Sequence, residues 1–194
     1  VIAMIPARIG STRLKLKNLA LINGRPMIYY AIQAAKDSNV FDKIIINSDS
    51  DIFKKIAERY GVEFYLRPEE LGGSNIKSDD VALDFIEKHK SDIVAWVNPI
   101  SPLQTGAEIK DIIKHFIKNN LNTLITVIER QTHCVHNQNP INFNLQGKFE
   151  QTQDLIPIQE MVYSIMMWKT ESFIESMRTS GQAILHGEIC YYPV

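Results

Sequence analysis

Apolar positions along this chain follow two alternating rhythms. Stretches dense in apolar residues recur at 1–6, 41–47, 62–66, 92–97, 121–128, 162–168 and 188–192, with short unbroken runs such as Ile44-Ile45-Ile46 and Ile93–Val97 inside them. Such runs predict strands buried on both faces, as in the interior of a parallel sheet. Between them the apolar residues return every three to four positions. Ile28, Ala31, Ile32 and Ala35 predict a helix opened by Pro26 and ending near Ser38. Ile52, Ile56 and Tyr60 predict one stopped by Gly61. Ala82, Phe85 and Ile86 predict one that starts at Ser78, and Ile109, Ile112, Ile113, Phe116 and Ile117 predict one over 106–119. A further helix is predicted over 171–177. Strands separated by helices in this way predict an α/β fold: a three-layer, Rossmann-like, mostly parallel sheet with right-handed crossovers.

One stretch breaks the rhythm. Residues 131–153 are rich in Asn, Gln and His, with extended pieces predicted at 141–145 and 148–150 hinged at Gly147. An inserted hairpin arm, taken as 131–160, is the expectation.

Totals narrow the field. The 194 residues are 45% apolar, which suits one domain over 1–194. A net charge of −1 gives no argument for nucleic acid as a partner. No apolar run approaches the ~18 residues of a membrane span, and no signal peptide is visible. Cys134 and Cys190 lack metal-ligand neighbours and read as free thiols of a reducing cytoplasm. The chain opens at Val1, already inside a strand, and stops at Pro193-Val194 without a polar tail, so both ends are expected to be trimmed.

The chemistry gathers behind the strands. After the first come Arg8, Gly10, Ser11, Thr12, Arg13, Lys15 and Lys17. Cations and hydroxyls at a strand's carboxyl end suit a polyphosphate; a solvated basic loop has the same composition. Ser48-Asp49-Ser50-Asp51 reads as a helix cap, Ser48 or Ser50 capping, or as part of a nucleotide site. Arg67 either faces a ligand or pairs with Glu69 or Glu70 at the surface. Ser78 caps a helix, with a ligand contact open beside that role. His133 and His136 have no third ligand at a sensible spacing, which argues against a metal pair. No G-x-G-x-x-G follows the first strand, which argues against a dinucleotide dehydrogenase.

Three ordered blocks carry a resemblance. Ala7-Arg8-x-x-Ser11-x-x-Leu14-x-x-Lys17-Asn18 resembles the nucleotide loop of the sugar-acid cytidylyltransferases. Asn98-Pro99-Ile100-Ser101-Pro102-Leu103-Gln104-Thr105 resembles the Gln-Pro-Thr-Ser-Pro-Leu-Arg-Thr segment of the acylneuraminate group, with Asn98 for Gln and Gln104 for Arg. Gln151–Pro157 resembles the Arg-Gln-Asp-Leu-x-Pro turn. Where relatives carry Asn-Gly-Ala, this chain has Tyr163-Ser164-Ile165.

The resemblance implies a nucleotidyltransferase (GT-A-like) sheet that transfers CMP from CTP to a sialic-type 2-keto sugar acid and releases pyrophosphate. It implies Arg8 and Lys17 as catalytic cations. It implies Arg8, Ser11, Lys17, Asn18, Arg67 and Ser78 around the nucleotide, and Asn98, Ser101, Gln104 and Gln153 around the acceptor. It further implies Mg²⁺ or Mn²⁺, held in relatives by an Asp-x-Asp pair beyond the last strand; within the chain Asp49 is the one candidate ligand. A homodimer formed through the arm belongs to the same expectation. A sister group that activates 3-deoxy-octulosonate carries an acidic residue in the 98–105 loop, which this chain lacks. A nucleotide-binding module without turnover is the alternative.

Overall fold

The computed structural model describes residues 1–10, 14–73 and 75–194. Seven strands make the main sheet: β1 (Ile2–Ala7), β2 (Lys43–Ser48), β3 (Glu63–Leu66), β4 (Ile93–Val97), β5 (Thr123–Arg130), β6 (Ile158–Lys169) and β7 (Ile189–Pro193). Their order is β7-β5-β6-β4-β1-β2-β3. Every neighbouring pair is parallel except those made by β6, which runs against β4 and β5. The expected mostly parallel α/β sheet is therefore what the chain forms.

Five helices cover the sheet: α1 (Met27–Ser38), α2 (Ile52–Tyr60), α3 (Ser78–Lys88), α4 (Gly106–Lys118) and α5 (Thr170–Ser180). Side chains alternate across each strand, so β1 feeds two cores. Ala3 and Ile5 join Ile32, Ile46, Ile109, Phe116 and Leu124 under α1, α2 and α4. Ile2 and Met4 join Ile45, Phe85, Trp96, Trp168 and Phe173 under α3 and α5. Burying each large side chain contributes roughly 1.5–3 kcal/mol, which is why the central strands tolerate so few polar residues.

Helix α4 is the best specified. Thr105 and Glu108 form a capping box, with each side chain bonded to the other's backbone N–H. Gly106 lies against the end of α1: a Cβ there would stand 2.7 Å from the Asp37 carbonyl carbon and the Ser38 nitrogen. Only glycine allows that approach.

Several expectations are corrected. In α2, Phe53 and Ala57 are buried; Ile52 is exposed, and Ile56 and Tyr60 only flank the core. The inward line runs one position later than the apolar spacing suggests, because the Phe53/Ala57 pair fills depth while letting the helix approach. Neither Ser48 nor Ser50 caps α2, and Ser78 does not cap α3; both helices start without a side-chain cap bond. The Ser48 hydroxyl instead accepts the Ser50 N–H at 3.2 Å, and the Asp79 carboxylate accepts N–H groups of Ala183 and Ile184 at 2.7 and 3.0 Å.

The arm forms no strands at 141–145 or 148–150. Its only ladder among the described residues is a two-residue ribbon, Val135–His136 against Asn139–Pro140. Asn142 takes the place of a ladder: its Nδ2 donates to Thr132 and Ile156 carbonyls at 2.8 and 2.9 Å, and its Oδ1 accepts the Cys134 N–H at 3.0 Å. Asn side chains compete for backbone groups in this way, so an Asn-rich segment need not pair as a hairpin. His133 stacks on Phe149 with ring centres 4.2 Å apart.

Candidate functional site

The carboxyl ends of β1, β2, β3, β4 and β5 share one edge of the sheet, and because β6 is reversed its amino-terminal half shares that edge too. Ligands of open α/β sheets bind at such an edge.

On the β1 side the loop begins with Arg8, half-buried. The Ile9 N–H donates to Asp49 Oδ1 at 2.9 Å. Ser11 falls outside the described residues. The loop closes on a short helical turn, Lys17–Leu19, entered through Leu16 at φ +52°. Asn18 is buried and donates from Nδ2 to the Arg8 carbonyl at 3.4 Å, so it ties the two ends of the loop together.

Arg67 corrects the surface-pair reading. It is only 6% exposed, and its N–H donates to the Ser48 carbonyl at 2.9 Å. Burial pushes its pKa below the usual guanidinium range; the Asp49 charge opposes that shift and the Arg8 charge adds to it. Arg8, Arg67, Asp49 and Asp84 therefore act on one another in one neighbourhood, two cations with two carboxylates. The Arg67 Nε is buried and has no hydrogen-bond partner among the described residues. A buried unpaired donor is costly and points to an acceptor supplied from outside. Ser78 is exposed at the start of α3.

On the β4 side the loop 98–105 folds back on itself. Asn98 donates its N–H to the Ser164 carbonyl at 2.9 Å, and its Oδ1 accepts the Ile100 N–H at 3.4 Å. Ser101 and Gln104 come together in a pocket of about 250 Å³ with Leu103, Glu108, Ile128, Val162 and Ser164. Gln104 Nε2 donates to Ser164 Oγ at 3.3 Å, and Ser164 Oγ lies 2.9 Å from Thr126 Oγ1. Thr126 Oγ1 donates to the Ile165 carbonyl at 3.1 Å and accepts its N–H at 3.0 Å. The remaining proton in the chain is therefore the Ser164 hydroxyl's, given to Thr126. Gln153 is not brought to this pocket: it lies exposed in the arm, its side chain against Gln151 and its carbonyl accepting from Gln131.

Ser164 and Thr126 were not among the sequence candidates. The signal available was a hydroxyl set inside an apolar strand run. Beside them Tyr163 sits at φ +55°, where β6 slips register between Met161 and Met166. A tyrosine in the left-handed region is strained.

Among the described residues, no group of three or more His, Cys, Asp or Glu is arranged to hold a metal. Asp49, the candidate ligand, has Oδ1 committed to Ile9 and 3.4 Å from the Ser48 hydroxyl. One carboxylate already bonded to the backbone does not fit a divalent-ion cage, so no chemical step is derived through a metal here.

Basic strand-end loops therefore stand beside a pocket without a cation on one edge of an α/β sheet. A family model described as Cytidylyltransferase matches residues 2–167, and the chain belongs to that family. The N-acylneuraminate cytidylyltransferase of Escherichia coli O18:K1:H7 (strain RS218 / NMEC) is 38% identical over 117 residues, 59% of this chain and 27% of its own length. The one from Streptococcus agalactiae serotype V (strain ATCC BAA-611 / 2603 V/R) is 30% identical over 135 residues, 68% of this chain and 33% of its own length. The match thus spans about a third or less of these curated relatives. Among solved structures, a CMP:2-keto-3-deoxy-manno-octonic acid synthetase complexed with CTP superposes with a TM-score of 0.74 at 14% identity, covering 100% of this chain and 89% of that one. A cytidylyltransferase from Leptospira borgpetersenii gives 0.62 at 15% identity, covering 100% and 76%. These two share the fold.

Proposed function

We propose that this chain carries the transfer site of an acylneuraminate-type cytidylyltransferase. The observation that carries the reading is the buried Arg67 Nε, without a hydrogen-bond partner among the described residues, at the end of β3 within the field of Arg8. In the reaction proposed, the anomeric hydroxyl of a sialic-type 2-keto sugar acid attacks the α-phosphorus of CTP. The new P–O bond forms as the bond to the bridging oxygen breaks; pyrophosphate leaves and the hydroxyl proton passes to solvent. Negative charge builds on the phosphate oxygens, so positioning and fixed cations do most of the work. Arg8 and Lys17 are the catalytic cations of this proposal. Arg67 holds the nucleotide, Asn18 closes the loop around it, and Ser11 and Ser78 complete the nucleotide side. Ser101 and Gln104 meet the acceptor, with Asn98 shaping their loop. Mg²⁺ or Mn²⁺ stays in the proposal as the ion the resemblance implies, as does a cytoplasmic setting. No described helix is long and apolar enough to cross a membrane. A homodimer through the arm is supported by the exposure of Ile141, Leu145, Phe149 and Ile156, apolar side chains in one inserted segment.

Pyrophosphate release is the test, run with CTP, Mg²⁺ and a panel of sialic-type acids. Release with at least one acid, reduced about 100-fold or more in Lys17→Ala, is the expected result. Among the described residues Asp49 is the carboxylate bonded to the loop, and its commitment to Ile9 favours a second reading, a nucleotide-binding module; CTP binding without release by any acid would select it.

A further inference from the structure

Asp49 stands where three loops meet. Its Oδ1 accepts the Ile9 N–H at 2.9 Å from the loop after β1, and the Ser48 hydroxyl lies 3.4 Å from the same oxygen. On the other side Gly72, in the helical turn Glu69–Gly72 after β3, lies so close that a Cβ there would stand 2.9 Å from both Asp49 Cβ and Oδ2. Arg67, the first residue after β3, feels the Asp49 charge and is held to the same strand end through the Ser48 carbonyl. A side chain already bonded to a backbone amide and covered by a turn is poorly placed to leave for an ion. It is well placed to hold the amide.

We propose that Asp49 is a positioning residue that fastens the loop after β1 by accepting the Ile9 N–H, and that it acts on the nucleotide through that loop and not as a ligand of a metal ion. The assignment rests on the nucleotide reading above for its effect on CTP, but the fastening itself does not. Oδ1 as acceptor is what the contact requires, so Asn retains it and Ala removes it. The tight seat of Gly72 has the same origin: any side chain there displaces the carboxylate from Ile9.

Three proteins decide it: the unaltered chain, Asp49→Asn and Asp49→Ala. Amide hydrogen exchange at Ile9 is followed without ligand, CTP affinity by calorimetry, and the Mg²⁺ dependence of pyrophosphate release alongside. Asp49→Ala is expected to lose protection at Ile9 and to bind CTP about tenfold or more weakly. Asp49→Asn is expected to keep that protection, to bind CTP within about threefold of the unaltered chain, and to keep its Mg²⁺ midpoint. Should Asp49→Ala not fold, Gly72→Ala displaces the same carboxylate and is read in the same way. Unchanged Ile9 exchange in Asp49→Ala, or in Gly72→Ala, overturns the proposal. So does an Asp49→Asn protein as impaired as Asp49→Ala with a raised Mg²⁺ midpoint, which is the signature of a metal ligand. If the unaltered chain fails to bind CTP while Ile9 still depends on Asp49, the nucleotide reading fails and the fastening stands.

Discussion

The two halves of the sheet's carboxyl edge solve opposite problems. Beside β1 and β3 the site is charged: Arg8, Arg67 and Asp49 interact through their fields, and Arg67 carries its charge into a buried position. Beside β4 and β6 the pocket has no cation: its carboxylate, Glu108, is taken up in the α4 cap, and a Gln–Ser–Thr hydrogen-bond chain runs along walls of Leu103, Ile128 and Val162. Field strength suits a polyphosphate, whose recognition is mostly charge. Neutral donors and acceptors in an apolar setting suit discrimination by shape and hydrogen-bond pattern, because a mismatched partner leaves a buried polar group unpaired. On the proposed function, affinity and selectivity fall to separate strands.

Changes on each side should stay on their own side. The largest effect is expected from Arg67→Met. It removes the buried cation while keeping most of the volume, so CTP should bind about 100-fold more weakly, with no loss of thermal stability because a desolvated charge is also removed. Calorimetry and a melting curve read both numbers. If CTP affinity holds, the charged half is not the nucleotide site.

Ser164→Ala comes next. It strands the Gln104 amide and takes away the Ser164 donor to Thr126, at a cost of ~1–3 kcal/mol in stability. The acceptor KM should rise several-fold at constant CTP affinity. A matching rise in the CTP constant would mean that the halves are not separable.

The smallest effect has the opposite sign. Tyr163→Gly relieves the left-handed backbone at the β6 bulge and should stabilise the fold by up to ~1 kcal/mol, while the acceptor KM rises if the bulge shapes the pocket. A denaturant titration paired with acceptor kinetics reads the trade.

What could be read from the sequence divides along physical lines. Buried strands announce themselves because two-sided burial favours apolar runs, and 93–97 is an unbroken one. Helix α4 announced itself through one apolar stripe, Ile109, Ile112, Ile113 and Phe116, all of them buried. Arg67 was left between a ligand-facing role and a surface pair with Glu69 or Glu70, because its burial depends on the fold bringing it to the end of β2. Ser48 and Asp49 misled for the same reason, since their bonds reach across to the first loop and not forward into the next helix. The Gln104–Ser164 contact spans 60 residues, beyond any local pattern. The residues of loops such as 98–105 were legible through resemblance; their partners needed the fold.

The reversed strand β6 carries one more consequence. Arg130, at the end of β5, is the register partner of Ile158, at the start of β6, so the chain leaves the sheet for the arm and re-enters it one strand spacing away. The insertion is thus a closed detour hung on a fixed doorway. Lengthening or shortening it alters loop entropy only slowly, about 0.6 kcal/mol per doubling, and leaves the register of the sheet untouched. Such a segment can be exchanged as a cassette, in evolution or by design, while the loops at the sheet's carboxyl edge keep their geometry.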